Sequence, residues 1–168
     1  MSTTIKHVAL GDLENELAGT RRALERVPDE HLGWRPHEKS FTLGELATHL
    51  TNLLYWQLGI ATSDEFDLAT IPPPDPSHVL KSRDALLERW DQNVAALRVA
   101  LDAADDESLM RRWTLRKGEH VVMALPRVAA LRTVGISHLI HHRGQLTVYL
   151  RQVGAPVPGL YGPSADEG

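Results

Sequence analysis

Apolar residues recur along this chain with the 3.6-residue period of amphipathic helices in four long segments, and almost nowhere with the period of two that marks a half-buried strand. In the first segment Leu13, Leu17, Leu24 and Val27 share a face, and Pro28 stops the pattern, which predicts a helix over residues 5–27. The second runs from Leu43 to Ala61, with Thr42 as N-cap and Glu45 placed to complete a capping box. Val79, Leu86, Leu87, Trp90, Val94, Leu97 and Leu101 mark the third, which starts at Asp75-Pro76 or Ser77 and ends near Ala104. Pro126 opens the fourth, which ends near Val153-Gly154 with Pro156 and Pro158 beyond it.

Between these segments, residues 28–41 read as a connection. The proline-rich stretch from Thr62 to Ser77 reads as a long irregular crossing loop. Residues 109–125 break the helical period: two short apolar runs flank Arg116-Lys117-Gly118-Glu119, so a small β-hairpin or flap is expected there. The reading is an all-α four-helix bundle with one long crossover and a small β-hairpin before the last helix. At 168 residues a single domain spanning 1–168 is expected.

Composition removes several function classes. Lysine and arginine total 18 against 22 acidic residues, for a net charge of −4, without the basic excess that phosphate-backbone binding needs. No segment runs ~18 apolar residues without charge, so neither nucleic acid nor membrane is an expected partner, and a cytoplasmic protein is expected. The chain has no cysteine, which excludes disulfides, thiolate ligands and a cysteine nucleophile; any thiol chemistry must come from a bound cosubstrate.

The candidate chemistry lies in histidines. His138 and His142 are four positions apart on the last helix and point the same way, one turn above the other. His49 lies on the apolar face that carries Leu46, Leu53, Trp56 and Ile60, where a buried imidazole needs a partner. If the two helices pack together, three imidazoles converge, and three protein ligands with an open position is how catalytic zinc-type sites are built. Gly135, one turn before His138, is expected to leave room for an ion or substrate. His141 lies ~80° off the axis shared by the pair and reads as a flanking residue. Leu139 stands where zinc proteases carry their glutamate, which argues against that reaction. Glu45 either completes the capping box or orients the His49 ring. Tyr149 and Gln145 either contact substrate or metal-bound water, or fill a polar pocket; with Glu45 they are the candidate catalytic residues.

On the blocks Val27-Pro28 to Trp34-Arg35-Pro36, Phe41 to Leu50, Ser137 to Arg151, and Pro158 to Asp166, the chain resembles the DinB/YfiT superfamily over nearly its whole length. The resemblance implies an up-down-down-up four-helix bundle, commonly a homodimer, holding one divalent ion, usually nickel or zinc. The family's ligand positions fall on His49, His138 and His142, the three that periodicity selects. Related members use the site for thiol-dependent transfer or isomerisation with glutathione, mycothiol or bacillithiol.

Three functions compete. The first is a metal-dependent S-transferase acting on a small-molecule substrate with a low-molecular-weight thiol. The second is a hydrolase in which the ion lowers the pKa of a bound water. The third is a non-catalytic, stress-associated dimer in which the ion braces the bundle.

Overall fold

The computed structural model of the chain describes residues 4–73 and 75–167; the irregular structure expected at Pro74 lies outside them. Thr4 caps a short helix, α1 (Ile5–Leu10), its hydroxyl accepting from the His7 amide at 3.2 Å. The chain breaks at Gly11-Asp12 before α2 (Leu13–Leu24). The single helix expected over 5–27 is therefore two, and the second ends before Val27. At the break a Cβ on Gly11 would lie 2.6 Å from the His7 carbonyl oxygen, and the Asp12 carboxylate turns aside to take Arg132 at 2.5 Å.

The second long helix, α3 (Leu43–Thr62), begins on the expected capping box: the Thr42 hydroxyl accepts from the Glu45 amide at 3.1 Å, and the Glu45 carboxylate accepts from the Thr42 amide at 2.6 Å. Two more of its free N–H groups are satisfied by the preceding loop, Leu43 N–H by the Trp34 carbonyl and Gly44 N–H by that of Leu32. Leu46, Leu50, Leu53, Leu54 and Ile60 are essentially sealed from solvent on its inner face.

The crossing segment departs from the expectation of wholly irregular chain. Residues Glu65–Asp67 form a strand, β1, which pairs in parallel with a strand some fifty positions away. Arg116 bridges Glu65 and Asp67 and fixes that pairing. The third long helix, α4 (Arg83–Ala103), also starts later than expected, capped by Ser82. Asp75 instead caps a single 3-10 turn, Pro76–His78, after which Val79 and Leu80 run extended. The Leu80 amide donates to the Thr48 hydroxyl of α3 at 3.0 Å. That bond ties the segment to the face of α3 and postpones the helix.

After a short helix, α5 (Asp106–Met110), the expected hairpin appears as β2 (Arg112–Lys117) and β3 (His120–Pro126), antiparallel and turned by Gly118 at φ 60°. β1, β2 and β3 make a small three-stranded sheet beside the helices. The chain is thus mostly helical rather than all-α. A continuous helical run closes the fold: α6 (Arg127–Ala130), a π-helical stretch over Leu131–Ser137, and α7 (His138–Gln152). It stops at Gly154, whose φ of 76° suits glycine.

α3 packs between α4 and α7, and α2 packs on α7 and α4. At the join of α2 and α7 lies a feature the apolar pattern does not announce. Arg143 and Glu16, 2% and 4% exposed, pair at 2.5 Å, and the Arg143 guanidinium also donates to the Glu16 backbone carbonyl at 3.1 Å. Tyr161, from the tail beyond α7, closes the network by donating its hydroxyl to the same Glu16 carboxylate at 2.8 Å while accepting from Arg143. Gly19 makes room: a Cβ there would sit 2.9 Å from the guanidinium.

Candidate metal centre

α3 and α7 bring His49 edge-on against His138 and His142. The ring centroids lie 4.5 Å (His49 to His142), 4.7 Å (His138 to His142) and 5.5 Å (His49 to His138) apart. One nitrogen from each ring can be chosen so that all three lie within 4.8 Å of one another. Among the described residues no carboxylate joins this cluster. His49 is half-buried rather than sealed as its apolar stripe suggested, because the face of α3 that carries it opens on a groove.

The outer nitrogen of His142 is tied down. Gln145 Oε1 lies 2.7 Å from His142 Nδ1, so this ring donates from Nδ1 and keeps a lone pair on Nε2. The π-helical stretch ends at His138, whose amide donates to the Gly135 carbonyl. The two Nε2 atoms lie 2.9 Å apart, within hydrogen-bond distance, so that His138 can donate its Nε2 proton to the His142 lone pair. A divalent cation would take the place of that shared proton and bind both nitrogens. A tetrahedral ion with bonds of ~2.0–2.1 Å would hold its nitrogen ligands about 3.3 Å apart, so the donor set fits a divalent ion with small inward or outward shifts of the rings.

Electrostatics favour the neutral ligand form. Burial, and after it the neighbouring imidazoles of His142 and His138, hold His49 down at about 4. Burial likewise lowers His138 and His142, the latter partly offset by its bond to Gln145. Protons therefore do not compete for the three nitrogens near neutral pH. A sign follows for stability. The folded chain binds fewer protons at His49 than the unfolded chain between about pH 6.5 and 4, so the metal-free protein loses stability as pH falls through that window. Discounted for the solvent that reaches the ring, the loss is about 1–2 kcal/mol, to be read as a lower Tm at pH 4.5 than at pH 7.

The other expected site residues separate. Gln145 joins the cluster through His142. His141 is exposed and flanks His142, with ring centroids 4.8 Å apart. Glu45 spends its carboxylate on the capping box, whose backbone bond from Thr42 is the main reason it stays below the usual carboxylate range, and it reaches only the rim of the groove beside His49. Tyr149 packs edge-on against Trp34, centroids 5.5 Å apart, two turns beyond His142. Gly135 does not leave space for an ion: a Cβ there would meet Gln57 Cγ at 2.8 Å, and the room it makes is filled by that side chain of α3.

Phe41, which the histidine pattern does not flag, covers the cluster from outside, 5.7 Å from the His49 ring and 6.4 Å from that of His142. Its one sequence signal is a large apolar residue directly before a helix cap. Removing the outer bond at His142 tests its role: Gln145→Leu is expected to weaken zinc binding by about 10–100-fold, measured by chelator competition, with the helical fold retained.

Comparison with known proteins identifies the family and the fold. The model of the DinB family matches residues 1–168. The uncharacterised protein YrdA of Bacillus subtilis (strain 168) is 32% identical over 168 residues, covering 99% of this chain and 93% of YrdA. A DinB-like protein of Bacillus cereus ATCC 10987 superposes with a TM-score of 0.70 at 27% identity, over 96% of this chain and all of that one. At 16% identity a mycothiol-dependent maleylpyruvate isomerase shares the fold, with a TM-score of 0.61 over 92% of this chain and 64% of the isomerase. Among the described residues no helix is long and apolar enough to cross a membrane. With a family model matched from end to end and a full-length relative at 32% identity, the chain belongs to the DinB family.

Proposed function

We propose that this protein is a divalent-metal-dependent S-transferase that joins a low-molecular-weight thiol to a small electrophile, with His49, His138 and His142 as the metal ligands. The observation that carries the reading is the pair of Nε2 atoms facing each other at 2.9 Å beside a third imidazole, with no carboxylate in the cluster. Three neutral ligands leave a coordination position for a substrate atom, and the chain supplies no sulfur of its own. The mycothiol dependence of the isomerase that shares the fold supports a thiol as cosubstrate. Nickel or zinc suits three imidazoles.

When bound, the ion acts as a Lewis acid that lowers the pKa of a coordinating thiol. The chain's own residues do the rest. Gln145 orients His142, so that its Nε2 lone pair stays aimed inward. Phe41 limits water at the cluster, and the groove beside His49 receives the electrophile. In the reaction the thiol loses its proton to solvent, a carbon–sulfur bond forms, and the leaving group departs with its electron pair. Glu45, committed to the Thr42 amide, is a rim residue in this scheme, and Tyr149 a packing residue behind α7.

In the same reading the four long helices form an up-down-down-up bundle, as a cytoplasmic homodimer. The test is turnover of 1-chloro-2,4-dinitrobenzene by the zinc- and nickel-loaded protein with glutathione, bacillithiol or mycothiol. Thiol- and metal-dependent turnover that is lost in His142→Ala is expected. Turnover of nitrophenyl esters without thiol would replace the reading by a hydrolase, and metal loading without any turnover would replace it by a structural site. Sedimentation velocity checks the dimer.

A further inference from the structure

The residues around His49 do more than open the cluster to solvent. A groove of about 470 Å³ runs from Phe41 past His49 and is lined on its other side by Ile71 to Pro73 and by Asp75, Pro76, His78 and Val79. A second concavity of about 420 Å³ continues it and shares Asn52, Ile71 and Pro72 with the first. Its far end is walled by Trp56 and Phe66, whose rings pack 4.7 Å apart. The floor is one face of α3, from Glu45 to Trp56, which at 1.5 Å per residue is about 16 Å long.

Three of the large apolar side chains that the described residues leave exposed lie along this one channel: Phe41 at 45%, Tyr55 at 65% and Ile71 at 45%. Apolar side chains collected in a concavity beside a reactive centre mark a ligand site rather than ordinary surface. Charge narrows the ligand further. No lysine or arginine lines either concavity. The two carboxylates at the rim are already engaged, Glu45 by the Thr42 amide at 2.6 Å and Asp75 by the Ser77 amide at 2.8 Å and hydroxyl at 2.7 Å. The Trp56–Phe66 end carries no charged side chain at all, so an ion seated there would be desolvated without a partner of opposite charge.

We infer that this channel binds the electrophile, and that its ligand is an uncharged, elongated, largely apolar molecule with a planar end seated against Trp56 and Phe66. The inference rests on the proposed S-transferase reading for the ligand's role, and a carboxylate-bearing thiol enters the cluster from outside the channel. The roof is held in place by the bond from Leu80 N–H to Thr48, so the channel exists without metal or thiol.

The experiment is an amide-resolved NMR titration of the full-length metal-free protein, repeated with one equivalent of zinc. The ligands are three probes of one shape: 1-naphthalenemethanol, 1-naphthoate and 1-naphthylmethylammonium. The alcohol is expected to bind about tenfold tighter than either ion in the metal-free protein, shifting the amides of Asn52, Tyr55 and Ile71. In Ile71→Lys, a change at an exposed position that leaves the core intact, the preference should move to naphthoate. Equal binding of alcohol and naphthoate, tighter binding of the ammonium, or shifts elsewhere would overturn the inference. So would a concentration-dependent dimer that blocks the probes and is dissolved by Ile71→Lys, since the channel would then be covered by a second copy. Because the probes need neither metal nor thiol, a chain that fails to load metal can still pass this test, and a metal-loaded transferase can fail it.

Discussion

Arg143→Ala is expected to lower stability by about 3–5 kcal/mol, the cost of leaving one member of a buried ion pair without its partner. At ~2–4 °C per kcal/mol for a chain of this size, that is a fall in Tm of roughly 10–15 °C by calorimetry. Glu16 accepts two close hydrogen bonds, from Arg143 and from Tyr161, and both charged side chains are almost fully buried. With the guanidinium gone, the carboxylate must take up a proton or draw water into the joint between α2 and α7. The pair itself need not be a net gain over an apolar contact, because desolvation offsets much of its Coulomb energy. The double variant Glu16→Leu with Arg143→Met is therefore expected to recover to within about 2 kcal/mol of the parent. A single variant that unfolds within a degree or two of the parent would mean that the two charges are not dry in solution.

The second large effect is on metal. Zinc supplied at about a hundred times its Kd should raise stability by ~2.7 kcal/mol, a Tm increase of roughly 5–10 °C. In His49→Ala this increase should vanish, and elemental analysis should fall from about one divalent ion per chain to a small fraction of that. Of the three ligands only His49 comes from α3; without it His138 and His142 remain a pair on one helix. The ion then no longer cross-links two elements, and its binding no longer opposes their separation. An unchanged zinc response in a folded His49→Ala variant would remove His49 from the site and, with it, the proposed function. Measuring Tm at pH 7, above the window in which His49 titrates, separates the two effects.

Much of this was legible before any coordinates. The 3.6-residue period marked the inner faces of α3, α4 and α7, and the Thr42–Glu45 capping box was readable because its parts lie three residues apart. The pairing of His138 with His142 is a property of one helix, and the apolar stripe around His49 implied an inward-facing ring. Other readings failed where the partner is remote. Strand β1 is three residues long, too short for periodicity, and exists because β2 and Arg116 lie beside it. Asp75 looked like the start of α4 and caps only a turn, since Leu80 is held extended by Thr48, thirty-two positions earlier. Gly135 looked like room for a ligand and is room for Gln57.

By itself the sequence determined what is local: where helices run and which face each turns inward, where a hairpin interrupts them, and that His138 and His142 share one face of a single helix. Each of these is set by interactions within a few residues, where side-chain spacing is a direct measure of direction. The tertiary structure alone decided what depends on distance between elements. It buried Arg143 against Glu16, brought His49 beside His138 and His142 and left it open to a channel, and gathered Phe41, Tyr55 and Ile71 along a single groove. A charged side chain has the same letter whether it is solvated or sealed, and only the elements packed over it determine which.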